Sequence, residues 1–121
     1  MTFTYQIKGE TPPKKNSRIT LRNGRTIPSK NYTAWRADAL RQLEEQIKPI
    51  TPLIEPCEIT FIFVHGDKRR RDSDNQISSI LDVFQDSNIL EDDNWNIVNK
   101  YHVENHYLKN LPSVTVEIKS L

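Results

Sequence analysis

Cysteine occurs once in the 121 residues, glycine three times, and no apolar stretch reaches the roughly 18 residues that would cross a membrane. The lone Cys57 excludes an intrachain disulfide and points to a reducing, cytoplasmic setting. Beside a predicted strand, Cys57 reads as a small core residue. None of the three glycines precedes a Gly-Lys-Ser/Thr, which excludes a phosphate-binding loop of the nucleotide-hydrolase kind. The N-terminal MTFTYQIKGE lacks a cationic segment followed by an apolar run, so the expectation is a chain neither secreted nor membrane-spanning. Apolar residues are also sparse, at 36% with a mean hydropathy of −0.68. Either the surface is unusually polar or a partner chain completes the core, and a homodimer is the expectation. The length fits a single domain over residues 1–121.

What is abundant is charge, and it is segregated. Residues 1–71 carry 14 Lys and Arg against 7 Asp and Glu, whereas residues 72–121 carry 3 against 9. Either the basic half forms a face for a polyanion around an acidic pocket, or the two halves pair with each other in the fold.

Periodicity gives the elements. FTYQI alternates Phe3, Tyr5 and Ile7 with polar residues, as a strand with one buried face does. GETPPKKNSR reads as an exposed basic loop, and Asn23-Gly24 inside RITLRNGRTI as the turn of a hairpin, since both residues tolerate positive φ. From Thr33 to Lys48 the four-residue spacing of Trp35, Ala39, Leu43 and Ile47 predicts a helix ended by Pro49. EITFIFV, Glu58 to Val64, reads as a central strand covered on both faces. A second helix is predicted over 75–85, with Ile77, Ile80, Leu81 and Phe84 inward, followed by strands in WNIVNKYHVENHY and SVTVEI joined by a turn near Asn110–Pro112. The order of strands and helices is that of an α+β domain.

The chemistry concentrates in KRRRDSDNQISSILDVFQDSNILEDD. Asp72 and Asp74 stand where a strand hands over to a helix, and Asp92 and Asp93 follow that helix after a short return, so the loop over 86–91 could fold them onto one site. Asp74, Ser78 and Asp82 lie along one helix edge. Carboxylates without His or Cys are hard-ion chemistry, suited to Mg²⁺ with Mn²⁺ as a substitute, and such ions polarise a phosphodiester and generate hydroxide. The flanking Lys68, Arg69, Arg70 and Arg71 would then hold a nucleic-acid backbone. The same aspartates also suit a helix cap and ordinary turns. An EF-hand is excluded, because counting from Asp72 the sixth residue is Ile77 and the twelfth Val83, where Gly and Glu are needed. His102, Glu104 and His106 would share one strand face, as a transition-metal site or as plain polar surface. Trp95 is either a core or interface aromatic or a stacking platform for a base.

RDSDNQISSILDVFQDSNILEDDNWNI, with the upstream PPKKNSRITLRNGRTIPSKNYTAW, resembles the RusA-type Holliday-junction resolvases of bacteria and their phages. The resemblance implies a mixed β-sheet with two main helices, a homodimer that binds four-way DNA junctions, and paired nicks made with Mg²⁺. It implies Asp72, Asp74 and Asp93 as the metal-binding catalytic aspartates and Asp82 and Asp92 as further acidic positions; Lys14, Lys15, Arg18, Arg69, Arg70 and Arg71 are our candidate phosphate contacts. One departure stands out: the family's usual lysine four residues after the second aspartate is Ser78 here. Lys100, Arg71 or a partner's cation would have to stand in, or the protein binds junctions with little cleavage.

Overall fold

The computed structural model describes residues 1–14 and 18–121, and of Arg18 the backbone alone. Eight elements follow one another: β1 (Thr2–Lys8), β2 (Arg18–Thr20), β3 (Thr26–Pro28), α1 (Lys30–Glu44), β4 (Cys57–His65), α2 (Ser73–Asp86), β5 (Val98–Tyr107) and β6 (Ser113–Ser120). Four strands form one mixed sheet in the order β1-β6-β4-β5, with β4 and β5 parallel and the other pairs antiparallel. The α+β architecture of a mixed sheet and two helices is thus as expected.

Strand β4 is central, but only one of its faces is buried. Cys57, Ile59, Phe61 and Phe63 point into a core shared with Tyr5, Ile7, Val114, Val116 and Ile118 of the neighbouring strands. Ile80 and Phe84 of α2, and Ala39 and Leu43 of α1, close that core from one side. Both helices lie on that one face, so Glu58, Thr60, Ile62 and Val64 opposite stay partly exposed. A run of apolar and β-branched residues cannot by itself distinguish a strand covered twice from one covered once.

The two later strands are not a hairpin, because β4 lies between them. Leu108 N and Asn110 N donate to His65 O and Gly66 O, which carries the turn across the end of β4. Gly66 is required there: a Cβ would sit 2.9 Å from Pro112 Cδ. Helix α1 starts three residues earlier than predicted, because the Ser29 hydroxyl accepts from Tyr32 N as an N-cap. It also stops earlier, leaving Ile47 exposed. The β2–β3 hairpin forms as Asn23-Gly24 suggests, but only Gly24 takes positive φ, and the Asn23 side chain accepts from Arg25 N instead.

The two edges of the sheet differ. Along β1, the side chains of Gln42 in α1 and Gln46 just beyond its C-cap each accept from and donate to the strand's outer backbone, at Lys8 and Gln6 respectively. Their amides stand in for the next strand. Strand β5 pairs on one side with β4 and, among the described residues, with no strand on the other.

Candidate active site

Residues 9–14 before the hairpin are not the exposed loop their composition suggests; the rest of that segment, residues 15–17, lies outside the described residues. Thr11 is buried, and prolines 12 and 13 lack N–H groups, so the segment meets α2 through its acceptors. Gln76 Nε2 donates to Thr11 O at 2.8 Å, and Ser79 Oγ donates to Pro12 O at 2.6 Å. Glu10, just before, joins four groups. Its carboxylate lies 2.9 Å from His65 Nδ1, 3.2 Å from Gln76 Nε2, 3.3 Å from Gly66 N and 3.3 Å from Arg71 Nη2. His65 Nε2 in turn meets Asn105 Oδ1 at 2.8 Å, and Asn105 Nδ2 donates to Ser73 Oγ. The end of β4, the start of α2 and the N-terminal segment are thereby tied together. Sequence reasoning missed Glu10, His65 and Gln76, since single polar residues in three separate segments carry no period or spacing.

Above this floor opens a cleft of about 620 Å³, bordered by Thr11, Asn31, Trp35, Asp72, Asn75 and Gln76 with Arg69 to Arg71 at its side. Asp72 occupies the N-cap position of α2, yet its side chain makes no capping hydrogen bond. Asp74, in the first turn, is exposed. Neither carboxylate has a hydrogen-bond or ion-pair partner among the described residues. Capping therefore does not account for them.

The second acidic pair lies elsewhere in the same protomer. Leu53 N donates to Ile89 O and Glu91 N to Leu53 O, and buried Ile89 and Leu90 anchor the return loop at the C-terminal end of α2. Asp92 and Asp93 therefore precede the start of β5, where Val98 pairs with Cys57 at the beginning of β4. Asp72 lies at the other end, beside Ser73 and Asn105. Val98 and Asn105 are seven positions apart on β5, about 23 Å at the usual strand rise. The loop over 86–91 does not fold the two pairs together, and among the described residues no three His, Cys, Asp or Glu side chains cluster as a metal site. Asp92 accepts from Asp93 N and the Asn94 amide, and these bonds hold its carboxyl below the usual range.

The candidate DNA contacts divide. Lys14 is 3.1 Å from Asp82, which also accepts from the Tyr32 hydroxyl and lies 3.8 Å from Arg36, so Asp82 joins α1 to α2. Arg36 also pairs with Asp86. Arg71 is largely buried between Glu10 and Asp67. Part of the charge segregation is thus neutralised within the fold. Arg69 and Arg70 are exposed at the cleft, and the Lys68 ammonium stands 4.9 Å from the centre of the Tyr107 ring. Lys15 and the Arg18 side chain lie outside the described residues.

The remaining candidates also have definite places. His102 is 3.0 Å from Glu58 and His106 is 3.5 Å from Glu104, so the polar strand face is paired. Lys100 shares that open face, away from α2, which removes it as a substitute for the missing lysine within one protomer. The Ser78 hydroxyl is bonded to Asp74 O. Cys57 is a core residue, as expected, with its thiol raised by burial, and Trp95 is exposed. No helix of the described residues is long and apolar enough to cross a membrane.

Comparison with known proteins adds two findings. The family profile "Endodeoxyribonuclease RusA" matches residues 9–119. A relative in Aquifex aeolicus (strain VF5), "Crossover junction endodeoxyribonuclease RusA", is 29% identical over 108 residues, covering 88% of this chain and 82% of the relative.

Proposed function

Because this chain belongs to the RusA family of endodeoxyribonucleases, we propose that it nicks four-way DNA junctions as a homodimer, using Asp72 and Asp74 of one copy with Asp93 of the other. The carrying observation is a pair of carboxylates without a partner among the described residues, Asp72 at a cleft with exposed Arg69 and Arg70 beside it and Asp74 two residues on. Two carboxylates and open positions suit Mg²⁺ or Mn²⁺, which would polarise the scissile phosphate and activate water. Arg69 and Arg70 would hold the strand through its phosphates.

Where the acids lie supports the dimer. With the β1 edge covered by Gln42 and Gln46, β5 is the sheet's free edge, and Tyr101, Tyr107 and Leu108 are exposed along it. Antiparallel pairing of two β5 edges would bring the Asp92–Asp93 turn of one copy toward the end of the other that carries Asp72 and Asp74. Two such sites, related by the dimer axis, suit paired nicks.

The test is complementation on a synthetic four-way junction with Mg²⁺ or Mn²⁺. Asp74→Asn and Asp93→Asn should each be inactive alone, whereas mixing them should restore single nicks, because one site per mixed dimer keeps all its acids. No restoration in mixed dimers would place the acids in one chain and refute the shared site. A second reading, junction binding with little cleavage, is favoured by Ser78, whose hydroxyl is already engaged and carries no charge. Salt-sensitive binding without nicks by the wild type would establish it.

A further inference from the structure

One large side chain has no packing place in its own protomer. Trp95 is 75% exposed, whereas Trp35 is half-buried against the core. A tight turn holds Trp95 out, directly before β5: Asn94 O accepts from Ile97 N and Val98 N, and Asn94 Oδ1 accepts from Asn96 N. Because that turn is already ordered, covering the indole costs little further entropy, and tryptophan is among the side chains that most often anchor an interface. Asp93, needed at the Asp72–Asp74 site, lies only two residues before it.

The cleft beside Asp72 matches this turn in surface, charge and position. Pro12, Pro13 and Trp35 give it apolar walls, and its volume of about 620 Å³ is more than one indole fills. Arg69 and Arg70 are exposed at its side, while Glu91, Asp92 and Asp93 form no ion pair among the described residues. Cleft and turn stand at opposite ends of α2, on the sheet face that carries the helices: Ser73 at its start meets Asn105, and Ile89 and Leu90 are buried just past its end. Antiparallel pairing of two β5 edges keeps both copies' helices on one side, and it sets the α2 start of each copy toward the α2 end of the other.

Resting on the shared-site dimer above, we infer that Trp95 of each copy docks in the Asp72 cleft of the other, and that this contact carries Asp93 to Asp72 and Asp74. The partner of the cleft is thus a second copy of this chain. Asp74 is not part of the cleft's lining, so a docked indole leaves it open to metal and to the DNA strand. Trp95 is a positioning residue, acting through Asp93.

The experiment places p-benzoylphenylalanine at position 95 in a mixture of isotope-labelled and unlabelled protein. Photoactivation should yield cross-links between labelled and unlabelled chains, to peptides carrying residues 11–13 or 31–35. In sedimentation equilibrium, Trp95→Ala should raise the dimer dissociation constant about thirtyfold, the ~2 kcal/mol of an anchoring tryptophan, with unchanged circular dichroism. Its nicking should fall at low protein concentration and return at high, whereas Asp93→Asn stays inactive at both. A Trp95→Ala protein that dimerises as tightly as wild type, or cross-links confined to other surfaces, overturns the docking; weakened junction binding in that same variant would assign the indole to DNA instead. Nicking by mixed Asp74→Asn and Asp93→Asn dimers beside such a result leaves the shared site standing without this anchor. Cross-links into the cleft without nicks support the docking and refute the nuclease.

Discussion

Replacing Glu10 by Gln keeps the shape of the side chain and removes its charge. The carboxylate faces donors on both oxygens: Arg71 and Gly66 N on one, His65 and Gln76 on the other. Whichever way an amide is turned, its NH₂ meets at least one donor. The least damaging arrangement donates to His65 Nδ1, with the ring proton moved to Nε2 against Asn105 Oδ1. Even then the Gln76 contact is lost and the Arg71 bond becomes that of a neutral acceptor. Both groups are largely shielded, with side-chain exposures of 26% for Glu10 and 17% for Arg71. One lost hydrogen bond and one weakened charge-assisted bond cost about 2 kcal/mol together. For a chain of this size that lowers Tm by about 8 °C. Differential scanning calorimetry measures it, and junction nicking should fall in parallel, because Arg71 directly precedes Asp72. A Tm within about a degree of wild type would refute the network as a support of the site.

Tyr5 is 1% exposed and its hydroxyl has no partner among the described residues, so Tyr5→Phe should stabilise the protein at neutral pH by about 1 kcal/mol, read from denaturant midpoints. Burial pushes the Tyr5 phenol up to about 12, whereas in the unfolded chain it ionises near 10. Its stability contribution is therefore full below about pH 10 and is lost as pH rises toward about 12, and Tyr5→Phe should flatten that alkaline loss. Gln42→Ala with Gln46→Ala uncovers the β1 edge, so light scattering should show concentration-dependent association beyond the dimer that the wild type does not show. Adding Mn²⁺ at 100 times its dissociation constant should stabilise the protein by about 2.7 kcal/mol in a thermal shift, and Asp72→Asn should abolish the shift.

Much of the site's chemistry was readable from residue order. The alternation in FTYQI and SVTVEI, and the spacing of Ile77, Ile80, Leu81 and Phe84, specify local geometry, because pleat and helix each fix which side chains share a face. Asp72 and Asp74 announce themselves by lying at a strand-to-helix junction. Residue order could not say that β4 separates β5 from β6, since that depends on a turn crossing the end of β4 at Gly66 and Pro112. Nor could it say that both helices pack on one face of the sheet, leaving the other polar face open.

The positions of the charges were decided by tertiary structure alone. Lys14 and Arg71 look like ligands for DNA in a basic run, but each is drawn to a carboxylate far away in sequence, at Asp82 and Glu10. Asp93 looks close to Asp72 along the chain, but Asp93 precedes the start of β5 and Asp72 lies beside its far end, at Ser73 and Asn105. Local periodicity is set by bonds between near neighbours, whereas convergence of charge depends on which elements the core packs together, and that is a property of the whole chain.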